Sequence, residues 1–192
     1  MKKSITVLLL CGTIGMSAPV LAEEAPKTLT LDNIQNGVYD DIALDDISKY
    51  AGFESAEWSD LWKVGNALIL QEDSLVVMFT PVNESGEHLA IYVSPYDEGY
   101  EVYMNLMMGV VTKKEREGKS VSEDEFLLNG HKVTTYVYTL DKSTMKMDYC
   151  FNTGKSITDI VYQGDLLVED TANRDAVFAL IDSIKLPEKP EK

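Results

Sequence analysis

The chain has 192 residues, and its 32 acidic side chains outnumber its 17 basic ones, which gives a formal net charge of −15. A polyanion would be repelled by this field, and no basic stripe with interleaved aromatic residues offsets it, so nucleic-acid binding is excluded. The same field disfavours an anionic membrane surface. It would speed encounter with a cationic partner, although acidity also keeps an exported protein soluble without any such partner.

The N-terminus has the pattern of a cleaved signal peptide over residues 1–22. Lys2 and Lys3 precede an apolar run over residues 5–16, and a small-residue cleavage site ends at Ala22. The run is shorter than the about 20 apolar residues that a transmembrane helix needs, so no stable membrane insertion is expected. Cleavage near Ala22 predicts a periplasmic or secreted protein that has lost two lysines and no acid.

A lipoprotein signal with Cys11 as the lipidated residue is the alternative to simple cleavage. That chemistry needs a small residue just before the cysteine, whereas Leu10 stands there and Cys11 lies inside the apolar run. After cleavage Cys150 is the remaining cysteine, so the mature chain forms no internal disulfide and depends on a packed core. A lone cysteine is usually a buried apolar residue; a reactive or dimer-forming thiol is the alternative.

The mature chain has the length of one domain. Residues 23–63 are expected to form an N-terminal extension with short helices, because they mix apolar residues with many aspartates. Residues 64–186 are expected to form the core of an α+β domain. Residues 187–192 hold nothing to bury and are expected to be a disordered tail.

The first part of this core predicts three strands followed by a helix. Apolar runs separated by polar, turn-forming breaks predict the strands Ala67–Leu70, Leu75–Thr80 and Leu89–Val93. Ser94-Pro95-Tyr96-Asp97 has a cap, a proline and an acid in the order typical of a helix start. A basic last turn and Gly118 mark the end of that helix.

The second part predicts four strands and a closing helix. Asn129-Gly130 is a strong hairpin signal, and Ala172–Lys185 has the apolar stripe of a helix. The expected strands are Glu125–Leu128, Lys132–Leu140, Met145–Phe151 and Ile157–Tyr162. This order predicts an α+β fold: an antiparallel sheet of about seven strands in two meanders, with amphipathic helices packed on it in an α/β/α sandwich-like arrangement.

Several segments of the second half occur in a characteristic order. Phe126-Leu127-Leu128-Asn129-Gly130-His131-Lys132-Val133 leads into Tyr136-Val137-Tyr138 and two strands, and the last helix ends in Val177 to Leu186. In this order the chain resembles the family of secreted and periplasmic domains built like the photosystem accessory protein PsbP and the bacterial periplasmic protein DcrB. The resemblance covers about two thirds of the mature chain. It implies a binding or accessory domain and carries over no functional residue.

Catalytic chemistry has no local support in the sequence. His88 and His131 each lie beside a predicted turn, and no G-x-S-x-G nucleophile motif is present. Thr153-Gly154-Lys155-Ser156 imitates the end of a phosphate loop, but Tyr149 stands where that loop needs a glycine. We therefore assign no catalytic residue, no cofactor and no cofactor-binding residue.

Two groups of residues raise the question of a metal. The acids Asp40, Asp41, Asp45 and Asp46 lack the alternation and glycine of a calcium loop, so a solvated acidic face is the simpler interpretation. Thioethers can bind Cu(I), and a histidine could complete such a site. The methionines in question also have core-like spacing, which favours packing; they are Met104, Met107, Met108, Met145 and Met147.

The sequence therefore predicts an exported, non-enzymatic binding or accessory protein that contacts another protein or a small ligand. An immunity-type inhibitor of a cationic periplasmic effector is the first alternative, because electrostatic steering would favour a basic partner. A copper-binding periplasmic protein that uses methionine and histidine is the second. No metal site is assigned, and the oligomeric state is left open.

Overall fold

The computed structural model describes residues 43–69, 74–94, 100–154, 156–167 and 169–188. The expected signal peptide, residues 1–22, and residues 23–42 lie outside this part of the chain. The described residues form one antiparallel sheet and three helices, which confirms the α+β class and the single domain. The helices are α1 (Leu44–Tyr50), α2 (Tyr100–Arg116) and α3 (Ala172–Ser183). The strands are β1 (Trp62–Ile69), β2 (Leu75–Pro81), β3 (His88–Ser94), β4 (Val121–Leu128), β5 (His131–Thr139), β6 (Thr144–Asn152) and β7 (Ile157–Asp165).

The seven strands lie in the order β1-β2-β3-β7-β6-β5-β4. Each sequential pair within β1–β3 and within β4–β7 is antiparallel, and β3 joins the two groups by pairing with β7. The strands β1 and β4 are consequently the two edges of the sheet. None of the helices in the described ranges is long and apolar enough to cross a membrane.

The hairpin between β4 and β5 forms where Asn129-Gly130 predicts it. Asn129 has φ 49° and Gly130 has φ 77°, so both central residues have the left-handed conformation that a two-residue type I′ turn requires. This turn places Leu128 opposite His131 and sets the register of the whole strand pair.

Two strands begin several residues earlier than their sequence patterns predict. The strand β1 begins at Trp62 instead of Ala67, because a bulge between Val64 and Asn66 breaks the alternation and lets both Trp62 and Ala67 point into the core. The strand β4 begins at Val121 instead of Glu125. Its side chains are largely exposed, since it is an edge strand, and it has no apolar alternation to mark its start.

The inner face of the sheet is covered by α1, α3 and the segment between α1 and β1. Ile47 of α1, and Val177 and Ile181 of α3, are buried against the apolar side chains of the strands. The Trp58 ring stacks on Phe79 with 5.1 Å between ring centroids. Part of the expected extension therefore belongs to the same core as the strands.

The outer face is covered by α2 over one half of its width. Met107 and Val111 of α2 pack with Tyr136, Tyr138 and Cys150 in a second apolar cluster. The helix ends where the sequence predicts: Gly118 has φ 75°, and Lys119 N donates to Lys114 O at 3.0 Å in a Schellman-type cap.

The Gly130→Ala variant should lower the free energy of unfolding by about 1 kcal/mol, because alanine is strained at positive φ. Gly86→Ala is the matched control: a Cβ at Gly86 meets nothing within 4 Å, and its φ is not in the left-handed range. We expect the control to change stability by less than about 0.5 kcal/mol. Urea unfolding of both variants measures the difference, and equal losses would contradict the role of the turn.

Candidate functional site

Strand register places two very different groups of side chains side by side on the outer face. Residues directly opposite one another across neighbouring strands share a face, so each row can be followed from strand to strand. One row runs Thr134, Cys150, Asp159, Tyr92, Val76 and Leu68. The next row runs Tyr136, Asp148, Val161, Ala90, Met78 and Asn66.

Under α2, part of these rows joins Lys146 of β6 and Tyr103 of the helix in what we call the polar cluster: Tyr103, Lys146, Asp148, Cys150 and Asp159. The Tyr103 hydroxyl donates to Asp159 Oδ2 at 2.5 Å and so ties the helix to β7. The Cys150 thiol lies 3.6 Å from Asp159 Oδ1. Lys146 Nζ lies 3.0 Å from Asp148 Oδ1, and the Asp148 side chain is 1 % exposed.

Burial dominates the electrostatics of the polar cluster. Desolvation, followed by the charge of Asp148, raises the pKa of Asp159 to about 7. Desolvation also raises the pKa of Asp148, and the neighbouring Lys146 opposes this shift. Burial alone would lower the pKa of Lys146, but the surrounding negative groups, Asp148 first, outweigh it and hold that pKa above its usual range.

Tyr103, Tyr138 and Cys150 remain neutral at physiological pH. Burial, followed by the charge of Asp159, raises the pKa of both Tyr103 and Cys150. Burial and the charge of Asp148 likewise raise the pKa of Tyr138, whose ring lies 5.7 Å from Lys146 Nζ. The Cys150 thiol is therefore buried and poorly ionised, which agrees with a structural cysteine rather than a reactive one.

The other half of the outer face, on β1–β3, forms what we call the apolar patch: Leu68, Val76, Met78, Ala90 and Tyr92. Leu68 and Tyr92 are each 41 % exposed and Met78 is 37 % exposed, whereas Val76, which lies between Leu68 and Tyr92 in the same row, is buried. The remaining described outward positions on these strands are Lys63, Gly65, Asn66, Thr80, His88 and Ser94. None of these outward positions is acidic, in a chain with 32 acidic residues.

Two shallow hollows lie near the opposite edge of the sheet. One, of about 230 Å³, is lined by Glu125, Phe126, Leu127 and Lys132. The other, of about 200 Å³, is lined by residues around the start of β4 and the end of β5. Both are smaller than ordinary ligand pockets, which have volumes of roughly 300–1,000 Å³ and enclose most of the ligand.

The structure does not bring the candidate copper ligands together. Met107 packs on the outer face, whereas Met145 and Met147 point into the inner core on the other side of the sheet. Both ring nitrogens of His131 contact backbone carbonyl oxygens, those of Asn152 and Pro187, at 3.0 and 2.7 Å. Within the described ranges no group of three or more His, Cys, Asp or Glu side chains is placed to hold a metal ion.

The remaining sequence candidates have structural surroundings of their own. Asp40 and Asp41 lie outside the described residues, and Asp45 and Asp46 occupy the first turn of α1. The imitation of a phosphate loop is a tight turn, in which Ser156 N donates to Thr153 Oγ1 at 3.0 Å. Ser156 Oγ also donates to Ala51 O at 2.8 Å, so this turn anchors the end of α1 to β7.

Sequence reasoning reached only part of the polar cluster. The alternation in β6 correctly places Lys146, Asp148 and Cys150 on one face, opposite Met145 and Met147. It missed Asp159, whose partners come from α2 and β6. The available signal was an aspartate inside the apolar run Ile157–Tyr162, because a buried strand rarely holds an acid without a nearby partner.

Comparison with known proteins leaves the chain without an assigned family. No protein-family model matches it, and no curated protein matches it either. The function must therefore be inferred from the arrangement of its own side chains.

Replacing Lys146 should test how strongly the polar cluster depends on its one cation. Lys146→Met leaves Asp148 buried without its partner, so we expect a loss of about 3 kcal/mol in the free energy of unfolding at pH 7. The loss should be smaller at pH 5, because Asp148 can then take up a proton instead.

Lys132→Met is the matched control for this measurement. Lys132 pairs with Glu125 on the surface, where the two side chains are 55 % and 49 % exposed. An exposed pair contributes less than about 1 kcal/mol. Denaturant unfolding at both pH values measures all four combinations, and a loss from Lys146→Met no larger than that of the control would rule out the buried pair.

Proposed function

We propose that this protein is an exported, non-enzymatic binding or accessory protein that contacts another protein through the apolar patch. The observation that carries the proposal is the acid-free apolar patch on β1–β3, where Leu68, Met78 and Tyr92 are partly exposed, in a strongly acidic chain. The proposal includes membership of the PsbP- and DcrB-like class, with two meanders in a sandwich-like arrangement of layers.

The apolar patch has the composition typical of a protein interface: it is apolar, partly exposed and free of acidic residues. A sheet face is normally covered, because apolar surface left in water costs about 25 cal/mol for each Å². Contiguous apolar patches on a soluble protein commonly mark interaction sites. Charged residues are depleted at the centres of interfaces, since they would lose their hydration there. The apolar patch has both properties, with Leu68, Met78 and Tyr92 exposed on it.

A protein partner fits these features better than a small ligand. The patch is a sheet face and not a cleft, and the two hollows near β4 are shallow and lie away from it. A flat, apolar surface excludes water only when a second surface of similar size covers it.

An inhibitor of a cationic effector is the second candidate. Its support is the edge strand β4, where Glu123, Asp124 and Glu125 are all exposed. Binding through these carboxylates would weaken steeply with ionic strength, because exposed charges are screened beyond about 8 Å at physiological salt. Binding through the apolar patch would change little with salt.

The two candidates can be separated with a photo-crosslinking amino acid placed at position 78 or at position 167. Leu167 is 76 % exposed in the loop after β7, so it is a matched apolar position away from the patch. We expect a partner to be captured from position 78 and not from position 167.

The captured partner then permits an affinity measurement. Met78→Glu should weaken binding at least about tenfold, because a buried carboxylate and a lost apolar contact together exceed 1.4 kcal/mol. Leu167→Glu should leave the affinity unchanged, and both variants should unfold at the same denaturant concentration as the original chain. Equal effects of the two variants, or binding that collapses between 50 and 500 mM salt, would favour the second candidate.

The predicted export and signal-peptide cleavage can be tested by measuring the mass of the exported protein. Cleavage after Ala22 predicts a product that begins at Glu23. Intact-mass measurement of the protein recovered from the periplasm or medium reports its N-terminus directly. A product whose N-terminal cysteine is Cys11 and carries acyl chains would show lipidation instead.

A further inference from the structure

We propose that α2 docks on the sheet with the uptake of one proton, shared by Asp148 and Asp159, so that the helix is held firmly at mildly acidic pH and loosens as the pH approaches neutrality. This inference concerns the polar cluster and stands independently of what binds the apolar patch.

The buried acids of the polar cluster outnumber its buried cation. The polar cluster contains two carboxyl groups and one ammonium group, that of Lys146, which lies 3.0 Å from Asp148. With both carboxyl groups ionised, one negative charge is buried without a partner, which is costly in a desolvated site. With one proton added, the cluster is neutral. Asp148 and Asp159 are both buried, at 0 % and 3 % exposure.

Among the described residues, the surroundings of Asp159 contain no cation other than Lys146. From α2 the facing titratable group is Tyr103, and from β6 they are Lys146, Asp148 and Cys150. From β5, Tyr136 and Tyr138 border the same rows. From β3, Tyr92 lies opposite Asp159. His88 is the exposed first residue of the same strand and lies opposite Gln163. Within the described part of the chain, Lys146 is thus the one cation that lies beside the two acids.

Tyr103 links this proton to the helix. The Tyr103 hydroxyl donates to Asp159 Oδ2, so the residue that holds the proton also holds α2. When the helix lifts, water reaches both carboxyl groups and each can ionise near its ordinary pKa of about 4. Docking therefore raises the pKa of Asp159 from there to about 7.

The sign of the pH dependence follows from that rise. Below about pH 4 Asp159 is protonated whether or not the helix is docked, and docking is strongest. Between about pH 4 and pH 7 only the docked form keeps the proton, so each pH unit should favour the open form about tenfold. Above pH 7 neither form holds the proton, and the dependence should level off.

Cys150 supplies a reporter inside the cluster. Its thiol is fully buried beside Asp159 and packs with Met107 and Val111 of α2, so labelling requires the helix to open. The experiment measures the rate of labelling by a dipyridyl disulfide from pH 5 to pH 8.5. Each rate is divided by that of a small unfolded peptide thiol at the same pH, which removes the ionisation of the thiol itself.

We expect the corrected rate to rise about tenfold per unit between pH 5 and 6.5 and to level off above pH 7. Asp159→Asn should abolish this rise and leave Cys150 at least tenfold better protected than the original chain at pH 8. Glu123→Gln, which removes an exposed carboxylate from β4, should leave the whole profile unchanged.

Tyr103→Phe provides a second variant that keeps both carboxyl groups. The Tyr103 hydrogen bond lowers the pKa of Asp159, so its loss should move the levelling-off point to higher pH. A flat corrected profile in the original chain, or a slope that survives in Asp159→Asn, would overturn the proposal. If Asp159→Asn does not fold, an unmoved profile in Tyr103→Phe would overturn it equally.

Discussion

The pairing of β3 with β7 is the constraint on which the rest of the structure depends. It joins two groups of strands that are distant in sequence, with His88 opposite Gln163 and Ser94 opposite Ile157. Bringing β3 and β7 together closes a long loop of chain between them, and this costs conformational entropy. The cost is offset because the two groups together present one continuous inner face for α1 and α3 to cover. The same pairing places Tyr92 opposite Asp159, so that the apolar patch and the polar cluster adjoin.

The helix α2 covers only part of the outer face. The polar cluster beneath the helix and the apolar patch beside it both follow from this. Where α2 covers the sheet, it also buries the two acids and the lysine of the polar cluster, which is unfavourable unless they neutralise one another. Where α2 does not reach, Leu68 and Met78 remain partly exposed on strands whose other face packs into the main core. A chain selected only for stability would avoid both features, and such departures commonly occur at functional sites.

Much of the fold could be predicted because its signals are local. The Asn129-Gly130 turn, the alternation of β6 and the glycine that ends α2 each depend on residues a few positions apart. The starts of β1 and β4 could not be predicted, because a bulge and an exposed edge remove the alternation on which such predictions rest. The candidate site was harder to predict than the fold. The neighbours that hydrogen-bond to Asp159 and shift its pKa, Tyr103 and Asp148, lie on other elements that are distant in sequence.

By itself, the sequence determined the acidic character of the chain, the α+β class and the order of its strands and helices, because these follow from composition and local periodicity. Only the tertiary structure decided that Met107 and Met145 lie on opposite sides of the sheet and cannot share a metal. It also decided that one lysine lies beside two buried acids, and that Leu68, Met78 and Tyr92 are partly exposed on the acid-free face of β1–β3. Burial and strand register set these outcomes, and both depend on contacts between residues that are far apart in the chain.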